Sequence, residues 1–302
     1  MGYLLIIIAS VMYGVGPTFS TLMQRSGWNA ATILFEGELV GAVLLFLLIR
    51  GRGLSLRLKR EQILPLLGLG GLSYLLMSML LQSSYRYMLA GLCTMLHFIY
   101  PIIVMVIMIA VFKERVTAPK LLCMLLALLG ICMIVGLPGQ PVEGNVPLGA
   151  ALAASSGIAY AIFVVSNDKS AMAEVDVMVS TFYVLVVGGA LVGLYLLLTG
   201  NFSANLEGSN AIYAVVYPLS TVVALVCLAR GVHCIGATRA AIINMLEPAV
   251  SMVVSILVFG GSNVTAFTLC GCVLIVASVI TVTLTKDRGQ THRRAEPCGE
   301  KI

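Results

Sequence analysis

The stretch AGLCTMLHFIYPIIVMVIMIAVF, residues 90–112, decides the architecture, because the chain writes it a second time. At an offset of 147 it lies on ATRAAIINMLEPAVSMVVSILVF, residues 237–259, with Ala90 on Ala237, Pro101 on Pro248, Met105 on Met252 and Phe112 on Phe259. The register runs without a gap over 13–112 and 160–259, placing Tyr13 on Tyr160, Phe35 on Phe182, Gly41 on Gly188 and Leu72-Ser73 on Leu219-Ser220. Chance likeness between apolar segments supplies leucine on leucine, but not a tyrosine, a glycine and a proline in one register. The chain is therefore a duplicated unit. Each copy of the opening stretch is long and apolar enough, at about 1.5 Å per residue, to cross a hydrocarbon layer of roughly 30 Å.

Outward from this pair the same composition continues. Of 302 residues, 60% are hydrophobic and 10% charged, against roughly 45–50% and about 25% in a soluble domain. Ten apolar stretches emerge: 3–23, 30–49, 63–83, 90–112, 118–136, 147–167, 177–198, 211–229, 236–259 and 264–285. Together they predict an all-α polytopic membrane protein of ten transmembrane helices. No ten-residue alternation of an outer-membrane barrel occurs. The first stretch has no Lys or Arg before it and no clean small-residue cleavage site after it, so it is expected to remain as a spanning helix. The repeats are bounded as 1–137 and 147–285, with a Pro- and Gly-rich linker between them and a basic tail at 286–302. Five crossings per repeat is an odd number, so the second repeat must enter the membrane from the opposite side. Inverted repeats of this kind serve alternating access in secondary transporters.

The net charge of +5 resides in loops and does not call for a nucleic-acid partner. With the N-terminus in the cytoplasm, 16 of the 18 Lys and Arg fall on the cytoplasmic side, leaving only Arg25 and Arg86 outside. This bias predicts that both termini are cytoplasmic. The basic run from Arg50 to Arg60 reads as an ordinary topogenic loop. Seven of eight cysteines lie in or beside apolar helices and no C-x-x-C occurs, so they read as packing residues. Neither metal nor cofactor is expected.

Each repeat carries a proline near the middle of its fourth helix, Pro101 and Pro248. A proline withdraws one N–H and displaces the carbonyl four residues back, here those of His97 and Asn244. Matching interruptions in two halves point to a midplane binding site. The charges within the helices are Glu36, Glu38, Lys120, Arg239 and Glu247. Lys120 and Arg239 lie within a turn of the cytoplasmic end, from where they are expected to snorkel. Glu247 is deepest, and Asn244, Glu247, Ser251 and Ser255 follow one face of a helix. Thr94, His97 and Tyr100 form a comparable face beside Pro101. The two faces are expected to look at each other across a cavity walled by Tyr13 and Tyr160. Tyr13, Thr94, His97, Tyr100, Tyr160, Asn244, Glu247 and Ser251 are thus the candidate substrate-binding residues.

A carboxyl that alternates between wet and closed surroundings can take up and release a proton. Glu247 is therefore a candidate for substrate amine contact or proton coupling, a structural hydrogen bond being the alternative. Glu36 and Glu38 are further proton-coupling candidates, although two residues' separation turns them about 200° apart on a helix. Arg86 is a candidate counter-ion. The spacings Gly37-x-x-x-Gly41 and Gly189-x-x-x-Gly193 suit close helix packing.

The stretch Tyr85-Arg-Tyr-Met-Leu-Ala-Gly-Leu, Tyr100-Pro101, Phe112-Lys-Glu-Arg-Val-Thr117 and Gly130 resembles the repeat signature of EamA-type proteins in the drug/metabolite transporter superfamily. Leu228-Ala-Arg-Gly, Ala237 and Leu246-Glu-Pro248 resemble its second copy. The resemblance implies four helices of each repeat around a central cavity with the fifth peripheral. It also implies export of small metabolites, such as amino acids or related compounds, across a bacterial cytoplasmic membrane. The sequence departs from the pattern in two places: Glu114 faces Gly261 or Ser262 in the second copy, and Glu36 and Glu38 stand where relatives often carry an arginine.

The expected partners are a small-molecule substrate and the lipid bilayer, and a homodimer is compatible with the sequence. An enzyme is not expected: the only aspartates, Asp168, Asp176 and Asp287, lie in loops or the tail, and neither H-E-x-x-H nor G-x-S-x-G occurs. A non-transporting membrane sensor or scaffold is the alternative. It would ordinarily carry an output domain, for which 17 residues after 285 are too few.

Overall fold

The computed structural model describes residues 1–84, 87, 90–114, 116–135, 145–259 and 266–284. Arg86, Gly261, Ser262, most of the linker and the basic tail lie outside them. Polar residues at the ends of apolar runs set the helix boundaries. The first helix, α1 (Gly2–Arg25), runs into a turn at Gly27, whose φ of +99° favours glycine. Asn29 then caps α2 (Ala30–Gly51), its side chain accepting from the Thr32 N–H. Pro65 lies near the start of α3 (Arg60–Ser84), where the backbone widens into a π-type stretch over Pro65–Leu72. A proline without an N–H loosens the local ladder in this way. After α4 (Ala90–His97) and α5 (Tyr100–Ala110) comes α6 (Ala118–Val135).

The second half repeats the order. Asn145 caps α7 (Val146–Lys169) and Asp176 caps α8 (Val177–Thr199), which Gly200 ends at φ +62°. There follow α9 (Asn210–Ile235), α10 (Ala237–Asn244), α11 (Glu247–Phe259) and α12 (Ala266–Leu284). The fourth predicted helix of each repeat is thus broken into two helices rather than kinked. Residues 98–99 and 245–246 form the breaks, again 147 apart. Counting each broken pair once, nine helices among the described residues are long and apolar enough to cross a membrane. The tenth, α6, is a shorter apolar helix. It starts only after Thr117, and its 18 residues span about 27 Å.

Packing follows the duplication. Helix α1 lies against α9, α10 and α11, while its counterpart α7 lies against α3, α4 and α5. These are the same pairings carried across by the 147 offset. The pairs α2–α8 and α6–α12 join each helix to its own counterpart. At α2–α8 the correspondence reaches single residues. Glu38 sits where a side chain on Gly188 would be, and Leu185 where one on Gly41 would be. Adding 147 to Glu38 gives Leu185, and to Gly41 gives Gly188. Tyr217 similarly fills the space beside Gly37, and Phe35 that beside Gly193, as the small-residue spacing predicted.

The outward surface is oil. Leu64, Leu197, Leu198 and Leu257 are 79–82% exposed, which water would not tolerate over so large a continuous area but lipid does. Lys120 corrects the sequence expectation. It does not snorkel: it is 2% exposed, and its ammonium lies 3.6 Å from Glu114. In the first turn of α6, Ala118, Pro119 and Leu121 are exposed and Lys120 alone is buried, its charge met by Glu114 in place of water.

Candidate functional site

The two helix breaks meet at the centre. His97 and Tyr100 flank the break in the first repeat, Asn244 and Glu247 that in the second, and each pair is joined by the 147 offset. Counterparts Tyr13 on α1 and Tyr160 on α7 complete the group. Three repeat-related pairs therefore supply six of the eight candidate residues.

Hydrogen bonds fix Asn244 completely. Its Nδ2 donates to the Tyr100 hydroxyl at 3.1 Å and to Glu247 Oε2 at 3.4 Å. Its Oδ1 lies 3.1 Å from the Ser10 hydroxyl. The reversed amide would turn an oxygen towards the carboxylate, so these partners decide its orientation. Tyr100 in turn donates to the Ala241 carbonyl at 3.4 Å, one of those freed where α10 ends. His97 Nδ1 lies 2.9 Å from Ser156 Oγ, which donates to the Ala153 carbonyl at 2.6 Å. The serine hydrogen being spent, Nδ1–H is the donor to Oγ. Neighbouring Gly157 has no side chain because the His97 carbonyl occupies that place, 2.7 Å from where a Cβ would lie.

Aromatic rings close around this network. Tyr100 and Tyr160 pack edge to face at 4.6 Å between centroids, with His97 at 5.4 Å from Tyr160 and 5.7 Å from Tyr100. Phe163 and Tyr74 extend the cluster. The Tyr13 hydroxyl is buried with no hydrogen-bond partner among the described residues. The two faces therefore touch directly, through Tyr100 and Asn244, instead of looking across a cavity. His97, Tyr100, Tyr160 and Asn244 are buried, whereas Tyr13, Glu247 and Ser251 are partly accessible.

Other candidates lie apart. Thr94 is one turn before His97 and partly accessible. On α11, Ser255 approaches Thr18 of α1 at 3.5 Å, so the serine face continues along α1. Pro101 and Pro248 are both buried. Glu38 is buried between α2 and α8, and among the described residues both its oxygens and Glu36 Oε2 lack a hydrogen-bond partner. Glu38 therefore faces Gly188 at the repeat interface and does not join Glu247.

Several contributors escaped sequence analysis. Ser10 and Ser156 anchor Asn244 and His97; serines within the apolar first helix of each repeat were the available signal. A polar cluster at the Lys/Arg-rich face was also missed. Glu114 pairs with Lys120 and accepts from Thr238 at 3.2 Å. Asp168 pairs with Lys169 at 3.0 Å and accepts from the Ala237 N–H at 3.2 Å. These contacts tie α10, of the second repeat, to the α5–α6 loop of the first and the end of α7. The counterpart segments are unequal: Val104 and Met108 on α5 are 0% and 1% exposed, while Ser251 and Ser255 at the matching places on α11 are partly accessible.

Comparison with known proteins agrees with this architecture. The profile of the EamA-like transporter family matches residues 1–136 and 147–284. A solved structure, titled only as the crystal structure of a protein, is 16% identical and superposes with a TM-score of 0.81. The match covers 94% of this chain and 96% of that one. No curated protein matches the chain.

Proposed function

The chain belongs to the EamA-like transporter family, and from that premise we propose that it is a secondary transporter exporting a small organic metabolite, an amino acid or a related compound, across a bacterial cytoplasmic membrane. Two inverted five-helix repeats rock about the α2–α8 and α6–α12 contacts and expose one central site to each side in turn. The observation that carries this reading is the convergence of three repeat-related residue pairs on two matching helix breaks. The exchanged packing of α1 and α7 supports a two-fold relation between the repeats, and an odd number of crossings in each makes that relation an inversion.

Both termini lie in the cytoplasm, by the distribution of Lys and Arg. The Glu114–Lys120–Thr238 and Asp168–Ala237 contacts then close the cytoplasmic side, and the partly accessible serines of α11 line the route outward. Glu247 exchanges its proton or a substrate group as the site opens to either side and closes again, coupling the two events. A sensor or scaffold would not need a polar network at two broken helices. The test is a comparison of metabolites inside and outside cells with and without the protein. Accumulation of one compound class outside only when the protein is present is expected; identical profiles would favour the sensor or scaffold.

A further inference from the structure

We infer that the substrate presents a cationic amine and no carboxylate, its positive centre held by Glu247 beside the ring cluster of Tyr13, Tyr100 and Tyr160. This rests on the transporter reading and narrows its substrates to the related compounds that lack a carboxylate, amines and not amino acids. Glu247 receives one hydrogen bond, from Asn244 to Oε2; no described residue donates to Oε1, and no described Lys or Arg forms an ion pair with it. The Asn244 amide is fully used, so it cannot neutralise the carboxylate further. A charge at this depth is costly unless a counter-charge arrives.

The surroundings favour that counter-charge. Tyrosine ring faces carry negative potential that attracts ammonium groups. Helices α4 and α10 end here, at His97 and Asn244, while α5 and α11 begin here, at Tyr100 and Glu247, so the helix dipoles balance and the carboxylate with the aromatic rings sets the preference. A substrate carboxylate, in contrast, would find no Lys or Arg in the site among the described residues, and the His97 Nδ1–H is directed at Ser156. Lys120 is engaged by Glu114, Lys169 by Asp168, and Arg25 and Arg239 lie over the rings of Phe259 and Tyr3. The duplication also sets the number of charges. The counterpart of Glu247 is Tyr100, so the otherwise paired site carries one acid and takes one cationic centre.

Isothermal titration of the purified full-length protein tests the charge class directly. The probes are choline and benzyltrimethylammonium, 3,3-dimethylbutan-1-ol as the uncharged counterpart of choline, and glycine betaine as its carboxylated one. At least one cation should bind tenfold or more tightly than both the neutral and the carboxylated probe. Glu247→Gln, with an unchanged melting curve, should erase that preference. Tyr160→Phe, which keeps the ring face, should retain it, and Tyr160→Leu should weaken it. The inference is overturned if no cation binds, if the neutral or carboxylated probe binds equally well, or if Glu247→Gln keeps the preference. Export of a carboxylate or a sugar would sink the charge class and leave transport standing, whereas unchanged metabolite profiles would sink transport itself.

Discussion

Glu247 is the residue on which most depends. Replacement by Gln keeps its shape and its bond from Asn244 but removes the titratable group. In reconstituted vesicles, Glu247→Gln should flatten the pH dependence of transport, or abolish net transport, with the protein still folded. A normal rate with an unchanged pH profile would make Glu247 structural and transfer the proton role to Glu36 or Glu38. Gly157 offers a second test. A methyl group there would lie 2.7 Å from the His97 carbonyl oxygen, which belongs to backbone and cannot swing away. Gly157→Ala should therefore cost about 1–3 kcal/mol, read as a lowered melting temperature in detergent, whereas Gly51→Ala, with open space around it, should cost less. The sequence made Asn244 and Glu247 legible because three residues' separation places them on one side of the chain. It could not make Glu38 legible, because helical spacing says that Glu36 and Glu38 diverge but not which of them meets Gly188.

Among the elements, the proposed mechanism rests on the broken fourth helices. Their prolines were readable, yet whether a proline kinks or breaks a helix depends on what receives the freed carbonyls. Here Tyr100 takes that of Ala241, and Gly157 makes room for that of His97. Pro101→Ala and Pro248→Ala should each allow the helix to mend. Vesicle transport should fall at least tenfold in either variant while thermal stability stays equal or rises; full transport in both would separate the breaks from function. The buried pairing of Lys120 was hidden for a related reason, since proximity to a helix end suggests water, and only the fold reveals the carboxylate of Glu114 beside it. Glu114→Ala alone should be more destabilising than Glu114→Ala combined with Lys120→Met, because the single change leaves a buried ammonium without its carboxylate. Equal melting temperatures for the two would show that the pair contributes nothing.

At the scale of the whole molecule, the duplication was legible because an offset of 147 survives in tyrosine, glycine and proline positions as well as in leucines. The relative placement of the repeats was not, since the contacts that mirror one another, Glu38 with Gly188 and Leu185 with Gly41, join residues about 150 apart whose types differ. Nor could composition foretell that the two halves would pack unequally at α5 and α11. In the proposed mechanism, opposite insertion of the repeats makes one site reachable from two sides, and everything proposed for Glu247 follows from it. Reporter fusions read it directly. Fusions after Lys59, Lys120 and Arg288 should report cytoplasm, and one at Glu207 the outside. The decisive fusion is at Gly139, between the repeats: a signal from outside the cell is expected, and a cytoplasmic signal there would contradict both the odd number of crossings and the inverted pair.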